Sequence, residues 1–167
     1  MRTYFNQTFG DFKCVHCRNH VSADNLLSGV QNRNHCPYCL WSRHLDLYES
    51  GDRLAACKSP MKPVGLSLKK TKKKYGKDQG ELMLVHLCEE CGKVSVNRIA
   101  ADDIADHIYE IYEQSLSMDR ATRALIEQGG VNALSVCDWE IVEARLFGWE
   151  YISLRERITD IYCFEAV

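Results

Sequence analysis

Long hydrophobic runs are missing from this sequence of 167 residues. Its longest uninterrupted apolar runs, Leu82–Val85 among them, have four residues, whereas a membrane-spanning helix needs roughly 20. The segment Met1–Phe12 has a single arginine and no apolar core of signal-peptide length. We therefore expect a cytoplasmic protein with no membrane partner.

Common catalytic patterns are missing as well. No glycine-rich phosphate loop is present, because Gly129-Gly130 stands alone, and no Ser-His-Asp arrangement is recognisable. Four residues lie at helical spacing that could suit a di-iron site: Asp103, Asp106, His107 and Glu110. Such a site also needs a second helix with Glu-x-x-His, and the sequence has no such motif. We predict that these four form a charged outer helix face.

Cysteine is abundant, with 9 residues. The odd count and the expected reducing compartment argue against a disulfide framework. Cys14 and Cys17 are followed by Cys36 and Cys39, the C-x₂-C…C-x₂-C spacing of a zinc ribbon. A two-residue spacer lets both thiolates of a pair reach one tetrahedral ion about 2.3 Å away. We predict that these four cysteines hold a structural Zn²⁺ (site one).

A redox role is the alternative for Cys36-Pro37-Tyr38-Cys39. Dithiol redox motifs of this type place one thiol at a helix N-terminus, which lowers its pKa. That interpretation requires a βαβ frame around the motif. Because the upstream segment holds another cysteine pair and no crossover helix, we favour the role as zinc ligands.

A second zinc site is predicted around the third pair, Cys88 and Cys91. If Leu82–Leu87 is a strand that continues to Cys88, the side chains of His86 and Cys88 point to the same face. Cys57 is the nearest remaining upstream thiol. We therefore predict that Cys57, His86, Cys88 and Cys91 hold a further Zn²⁺ (site two).

Other interpretations of site two stay open. His86 could be a core histidine and Cys57 an inert buried thiol. With only three protein ligands, water would fill the fourth position and permit metal-assisted hydrolysis. We expect no metal role for the remaining thiols and histidines near the cysteine pairs. Cys137 and Cys163 are predicted to be buried free thiols, and His16 and His20 to be exposed side chains.

Hydrophobic periodicity predicts an α+β fold. Strands of a short antiparallel sheet are expected over Gly65–Lys70, Leu82–Leu87 and Lys93–Ile99. From Ala101 onward the period is helical. The predicted helices are a first one with Ile104, Ile108, Ile111 and Tyr112 on one face, others over about Asp119–Gln128 and Asp138–Phe147, and a last one with Leu154, Ile158, Ile161 and Tyr162 on one stripe. We predict a small zinc-ribbon domain over residues 12–103 and an acidic α-helical extension over 104–167.

Charge is divided unevenly along the chain. Residues 1–100 carry 16 Lys and Arg against 9 Asp and Glu, or +7, whereas residues 101–167 carry 5 against 14, or −9. Six lysines cluster between the first two predicted strands, at a hairpin tip: Lys69, Lys70, Lys72, Lys73, Lys74 and Lys77. Tyr75 in the same segment could stack on a base. The tip is predicted to bind nucleic acid, with a merely solvated loop as the alternative.

The segment from Arg33 to Ser42, Arg-Asn-His-Cys-Pro-Tyr-Cys-Leu-Trp-Ser, continues to His44-Leu45-Asp46 and resembles the bacterial RNHCP domain family, which is named for this string. Gly80-Glu81, His86-Leu87-Cys88, Cys91-Gly92 and Asn97-Arg98-Ile99-Ala100 resemble its second block. The resemblance covers about residues 12–103 and implies a small intracellular zinc-binding domain with no established activity. This chain departs from the family in the residues after Cys57 and in its longer lysine-rich tip.

Within the motif, we expect Asn34 and His35 to hydrogen-bond the cysteine sulfurs or the turn backbone. Arg33 is a candidate for phosphate contact, with Trp41 or Tyr38 stacking on a base.

The sequence leads to one main functional hypothesis: a non-enzymatic zinc-ribbon protein that binds structured RNA, with the ribosome as the expected partner. One alternative is a protein-interaction adaptor that uses the acidic helical half. Another is a zinc enzyme with an open coordination position at site two.

Overall fold

The computed structural model describes residues 10–70 and 80–153. It has the following helices and strands: β1 (Phe12–Lys13), β2 (His20–Val21), α1 (Asn25–Ser28), β3 (Ser42–Arg43), β4 (Pro60–Lys69), β5 (Glu81–Cys88), β6 (Val94–Arg98), α2 (Ala105–Leu116), α3 (Arg120–Gln128) and α4 (Trp139–Phe147). The 3₁₀ turn Val136–Asp138 precedes α4. In this part of the chain no helix is long and apolar enough to cross a membrane. The predicted α+β class is confirmed.

The main sheet has four antiparallel strands in the order β3-β4-β5-β6. Its last three strands are the predicted ones, and β3 adds a short edge strand through the pairs Ser42–Met61 and Arg43–Pro60. The β4–β5 pairing runs from Met61–Cys88 to Lys69–Glu81 and shifts register between Pro63 and Gly65. Proline cannot donate to a ladder, which suits its place at such an irregularity.

The helices pack on the sheet. Eight buried residues form the main hydrophobic core: Leu40, Leu66, Leu82, Leu84, Ile108, Tyr112, Leu134 and Val142. Helix α2 approaches β4 so closely that a Cβ at Gly65 would lie 3.2 Å from the Cβ of Ser115. The core therefore crosses the predicted boundary at residue 103, because strand residues and helix residues contribute to the same cluster.

Side-chain caps explain where α3 and the 3₁₀ turn before α4 begin. Asp119 accepts a hydrogen bond from the Thr122 N–H (2.9 Å), so α3 begins one residue later than predicted. Ser135 and Asp138 form a capping box that starts the 3₁₀ turn, and α4 follows at Trp139. The predicted helix with Leu154 and Ile158 lies outside the described residues.

A second, smaller cluster surrounds site one. The strands β1 and β2 pair through Phe12–Val21 and Lys13–His20. Val21 is buried with Cys14 and Cys36, and Phe12 packs against this cluster. So few apolar residues supply little buried area, and a bound metal would compensate for this.

Candidate metal centres

Three Cys-x₂-Cys turns in this chain have the same backbone hydrogen bonds. In each, the first cysteine donates its N–H to the carbonyl five residues later, and the residue four positions later donates its N–H back to the first cysteine. The first bonds are Cys14 to Asn19 (2.9 Å), Cys36 to Trp41 (2.9 Å) and Cys88 to Lys93 (2.9 Å). The return bonds are Arg18 to Cys14 (3.2 Å), Leu40 to Cys36 (2.8 Å) and Gly92 to Cys88 (3.1 Å). This turn places the two thiols of each pair side by side.

The residue after each pair adopts the left-handed conformation. The φ angles are 66° at Arg18, 59° at Leu40 and 68° at Gly92. Only glycine takes this conformation without steric cost, so the first two turns hold a strained residue. Such a strained residue persists only where other interactions hold the turn in place, and ligation of a metal by the adjacent cysteines would be one of them.

Site one consists of the four predicted cysteines. The Sγ atoms of Cys14, Cys17, Cys36 and Cys39 all lie within 4.8 Å of one another. Two of the separations, Cys14–Cys39 and Cys17–Cys36, are 3.6 Å. A tetrahedral ion with bonds of about 2.3 Å separates its sulfur ligands by about 3.8 Å, while a disulfide would need about 2.05 Å. The arrangement fits a four-thiolate metal site, and all four cysteines are free thiols.

Site two joins the third turn to two residues from elsewhere in the chain. Cys57, Cys88 and Cys91 cluster with His44, again with all ligand atoms within 4.8 Å. The Cys57 and Cys88 sulfurs are 3.6 Å apart, and Cys91 Sγ lies 3.3 Å from His44 Nδ1. A tetrahedral sulfur–nitrogen edge is about 3.5 Å, so three cysteines and one histidine also fit a closed metal site.

His86 is not part of this cluster, and its predicted ligand role is wrong. The side chain is fully buried, with Nε2 2.7 Å from the Leu40 carbonyl oxygen and Nδ1 2.9 Å from Nδ2 of Asn97. Nε2 therefore donates to Leu40, and Nδ1 accepts from Asn97. This is the core histidine that the sequence analysis left open. Burial lowers the pKa of His86 to about 3, so the ring is neutral.

His44 supplies the fourth ligand instead. It follows β3 directly, and its N–H donates to the Ser59 carbonyl at 2.9 Å. Because β3 pairs with the first residues of β4, this hydrogen bond places His44 beside Cys57. The sequence signal was weak: the histidine is in the first motif, but only the strand register relates it to Cys57.

The thiols within each site differ in acidity: the pKa of Cys17 at site one is lowered, and burial raises the pKa of Cys88 at site two. Burial raises the pKa of Cys36 to about 11. Hydrogen bonding to the Ser59 side chain, and then to its backbone and to His44, lowers the pKa of Cys57 to about 6. Metal ligation requires thiolates, so a metal must displace a tightly held proton from Cys36 at site one and from Cys88 at site two, whereas Cys57 gives up its proton more readily.

A family model described as the RNHCP domain matches residues 9–109, which is more than half of the chain. The protein belongs to the RNHCP family. No curated protein and no solved structure matches it. The expected resemblance is thereby confirmed, and both candidate metal sites lie within the RNHCP domain.

The arginine of the RNHCP motif is not available for phosphate. Arg33 has a side chain with 0% exposure, and its NH1 and NH2 groups lie 2.7 Å from Asp102 and 3.3 Å from Asp103. Its Nε donates to the His35 carbonyl at 3.1 Å. The predicted nucleic-acid contact of Arg33 is therefore wrong: the side chain connects the second cysteine turn to the residues before α2.

Asn34 and His35 have the expected structural role with different partners. Asn34 donates to Oδ2 of Asp46 at 3.0 Å and accepts from Arg53, which fixes the loop after β3. His35 Nε2 lies 2.8 Å from Oδ2 of Asp103. Neither bond reaches a cysteine sulfur. Asp103 is therefore buried, and the predicted charged outer face is wrong at that position.

The helix after this turn also contacts the motif. His107 Nδ1 lies 2.9 Å from the carbonyl oxygen of Tyr38, which ties α2 to the second cysteine turn. Asp106 and Glu110 are exposed, as expected of an outer helix face. His107, half-buried against the RNHCP motif, departs from that expectation.

Other predicted residues are placed as follows. Trp41 stacks on His16, with ring centroids 4.2 Å apart and an interplanar angle of 1°, and Tyr38 is exposed. His16 and His20 are exposed as predicted, but Cys137 is exposed where a buried thiol was predicted. Lys69 and Lys70 are exposed. Outside the described residues are Lys72, Lys73, Lys74, Tyr75, Lys77 and Cys163.

Proposed function

We propose that this RNHCP protein is a non-enzymatic zinc protein that binds structured RNA through the lysine-rich segment between β4 and β5. The observation that carries the proposal is the position of Lys69 and Lys70. They are exposed where β4 ends, and the sequence that follows adds Lys72, Lys73, Lys74 and Lys77 before β5 begins. Six lysines within the nine residues from Lys69 to Lys77 concentrate positive charge in the sequence between the two strands, and such charge is suited to phosphates.

The metal sites support this proposal through rigidity. Cys88 ends β5 and Cys57 precedes β4, so site two joins the two strands of the hairpin at the end opposite the lysines. A hairpin fixed in this way loses little conformational entropy when its tip binds a ligand. Zn²⁺ at both sites is the proposed source of that rigidity.

The ligand count supports a structural role for the metals. Each cluster has four protein ligands, the number found in structural zinc sites, whereas catalytic sites keep one position for water. His44 supplies the ligand that an open site two would lack. The alternative of a zinc enzyme therefore loses its main structural requirement.

Replacing the six lysines with glutamine tests the RNA contact. With four phosphate contacts, binding of a structured RNA by the parent protein should fall with salt at a log–log slope of about −3 to −4. We expect the six-lysine variant to lose that dependence and to keep two zinc ions. Lys62→Gln/Lys93→Gln, away from the tip, serves as the charge-loss control. Unchanged RNA affinity in the six-lysine variant would show that the tip assignment is wrong.

The ribosome is the proposed source of the RNA. Sedimentation of the protein in cell lysate, at low and high salt and with and without RNase, tests this. Co-migration with ribosomal particles that salt weakens and RNase abolishes is the expected result. Free migration in every condition would exclude the ribosome as the partner.

One feature favours a second candidate function, an adaptor for a basic protein. Asp106, Glu110 and Glu113 are exposed on α2 at helical spacing, so they form an acidic face. Replacing these three with their amides should abolish capture of such a partner, while the six-lysine variant should retain it. The reverse pattern would favour the RNA hypothesis.

A further inference from the structure

A cavity of about 310 Å³ lies between the first cysteine turn, β3 and the loop before β4. This volume is in the range of small-ligand sites. Among the described residues its lining has five cationic side chains and no Asp or Glu: Lys13, Arg33, Arg43, Arg53 and Lys58. The lining also has apolar side chains, Phe12, Val15, Trp41 and Leu45, and is completed by Gly10, Cys14, Asn34 and Ser42. The cavity therefore combines positive charge with an apolar wall.

Two of the five cations are neutralised by carboxylates. Arg33 pairs with Asp102 and Asp103, and Arg53 lies 3.9 Å from Asp46. The other three, Lys13, Arg43 and Lys58, form no ion pair within residues 10–70 and 80–153. These three charges make the cavity attractive to an anion.

Backbone contacts hold two of these cations in place. Arg43 donates from Nε to the Lys58 carbonyl at 2.8 Å, and Lys58 Nζ donates to the Arg53 carbonyl at 3.0 Å. The two terminal amino groups of Arg43 have no hydrogen-bond partner in the described part of the chain. A guanidinium fixed through Nε can still offer those groups to phosphate oxygens.

The apolar wall includes an aromatic ring with a fixed orientation. Trp41 lines the cavity and stacks in parallel on His16. Indole rings are good platforms for nucleobases, and stacking is tolerant of base identity. An anionic group beside a flat apolar group is the chemistry of a nucleotide.

We propose that this cavity binds one nucleoside phosphate, with its phosphate at Arg43, Lys58 and Lys13 and its base against Trp41. The inference deepens the proposed RNA binding by adding a contact at the metal-bearing end of the sheet. Lys58 precedes β4 and Lys69 ends it, so the ten residues of the strand separate cavity and tip by about 30 Å. The nucleotide can come from the free pool or from an unpaired position in RNA.

Fluorescence anisotropy with a labelled single-stranded hexaribonucleotide tests the cavity, using the zinc-loaded full chain. Arg43→Gln/Lys58→Gln should weaken binding about tenfold or more, because two phosphate contacts are lost. Lys62→Gln/Arg120→Gln removes the same charge from exposed positions elsewhere and should change affinity less than about threefold. Trp41→Leu should weaken binding about fivefold or more. Two zinc ions per chain in every variant would show that the fold is retained.

Competition with adenosine and uridine 5′-monophosphates identifies the source of the nucleotide. If either monophosphate displaces the hexaribonucleotide, the result supports a free nucleotide as the ligand. If the hexaribonucleotide binds and neither monophosphate displaces it, the result supports a nucleotide within RNA. The proposal is overturned if neither probe binds, if the cavity variant binds as the parent does, or if polyglutamate binds equally well. The six-lysine tip variant should still bind the hexaribonucleotide, so failure of the tip and failure of the cavity give different results.

Discussion

His35 Nε2 lies 2.8 Å from Oδ2 of Asp103, a residue 68 positions later in the chain. The same carboxylate lies 3.3 Å from the guanidinium of Arg33 and accepts the N–H of Ala100 at 2.7 Å. The side chains of Arg33, His35 and Asp103 are almost fully buried. Arg33 and His35 of the RNHCP motif therefore connect the second cysteine turn to the turn before α2.

Replacing Asp103 should therefore destabilise the fold strongly. Asp103→Asn removes one of the two carboxylates that face the buried Arg33 and disturbs the contacts of Asp103 with His35 and Ala100. Breaking a buried ion pair costs about 3–5 kcal/mol. Asp102→Asn is the matched control: it also removes a carboxylate from Arg33, but the Asp102 side chain is 37% exposed. Because water reaches this pair, its loss should cost less than the loss of Asp103. Urea denaturation of the zinc-loaded proteins measures both values. Equal losses would contradict a special role for Asp103.

Metal content distinguishes the two histidines near site two. His44→Gln should reduce the zinc bound per chain from two ions to one, because it removes a ligand of the three-cysteine, one-histidine cluster. His86→Gln should keep both ions, since the His86 ring nitrogens bond to Leu40 and Asn97 and lie outside the metal cluster. Native mass spectrometry gives the count directly. Loss of an ion in His86→Gln alone would restore the original ligand prediction.

Stability should fall as the solution is acidified below about pH 6.5. Burial holds the pKa of His86 at about 3 against an ordinary 6.5, so between these values the unfolded chain binds one proton more than the folded chain. The free energy of unfolding then decreases by up to about 1.4 kcal/mol per pH unit. His35 lies near this ring, and Asp103 faces His35.

Comparison with His86→Gln isolates this contribution, because the other groups titrate in both proteins. The variant should have a shallower dependence on pH between about 6.5 and 5, measured by urea denaturation with metal content checked at each pH. Parallel pH profiles for the two proteins would exclude His86 as the cause.

The left-handed residues of the first two cysteine turns should respond oppositely to glycine. Arg18 is exposed, so Arg18→Gly relieves its backbone strain and should stabilise the protein by up to about 1 kcal/mol. Leu40 has 0% exposure, and Leu40→Gly should lower the free energy of unfolding by about 2–5 kcal/mol because it leaves a cavity in the core. Thermal unfolding of the zinc-loaded proteins measures both. A destabilised Arg18→Gly would contradict the strain argument.

Features encoded by near neighbours were predictable from the sequence. The four cysteines of site one, the strands β4 to β6 and the helices α2 to α4 follow from short spacings and periodicity. Ligand choice at site two was not predictable in this way. His86 is two residues from Cys88 and points into the core, whereas His44 reaches Cys57 only because β3 pairs with β4.

The motif residues show the same limit. Arg33 looked like a surface cation because its partners, Asp102 and Asp103, are 69 and 70 residues away. Cys137 looked like a core thiol among apolar neighbours, but it lies in an exposed 3₁₀ turn. Pairing between distant segments determines the outcome for Arg33, whereas the capping box of Ser135 and Asp138 forms the turn that contains Cys137.

Leu40 connects site one to the rest of the protein. It follows Cys39 directly, packs its side chain into the main core and accepts the hydrogen bond of His86 with its carbonyl oxygen. An empty site one would release the turn that presents Leu40, so the sheet and its helices would loosen together with the metal ligands. We therefore expect a chain without metal at site one to lose its tertiary structure as a unit. If so, the abundance of the protein in a cell would follow the supply of the metal, since unfolded chains are substrates for proteases.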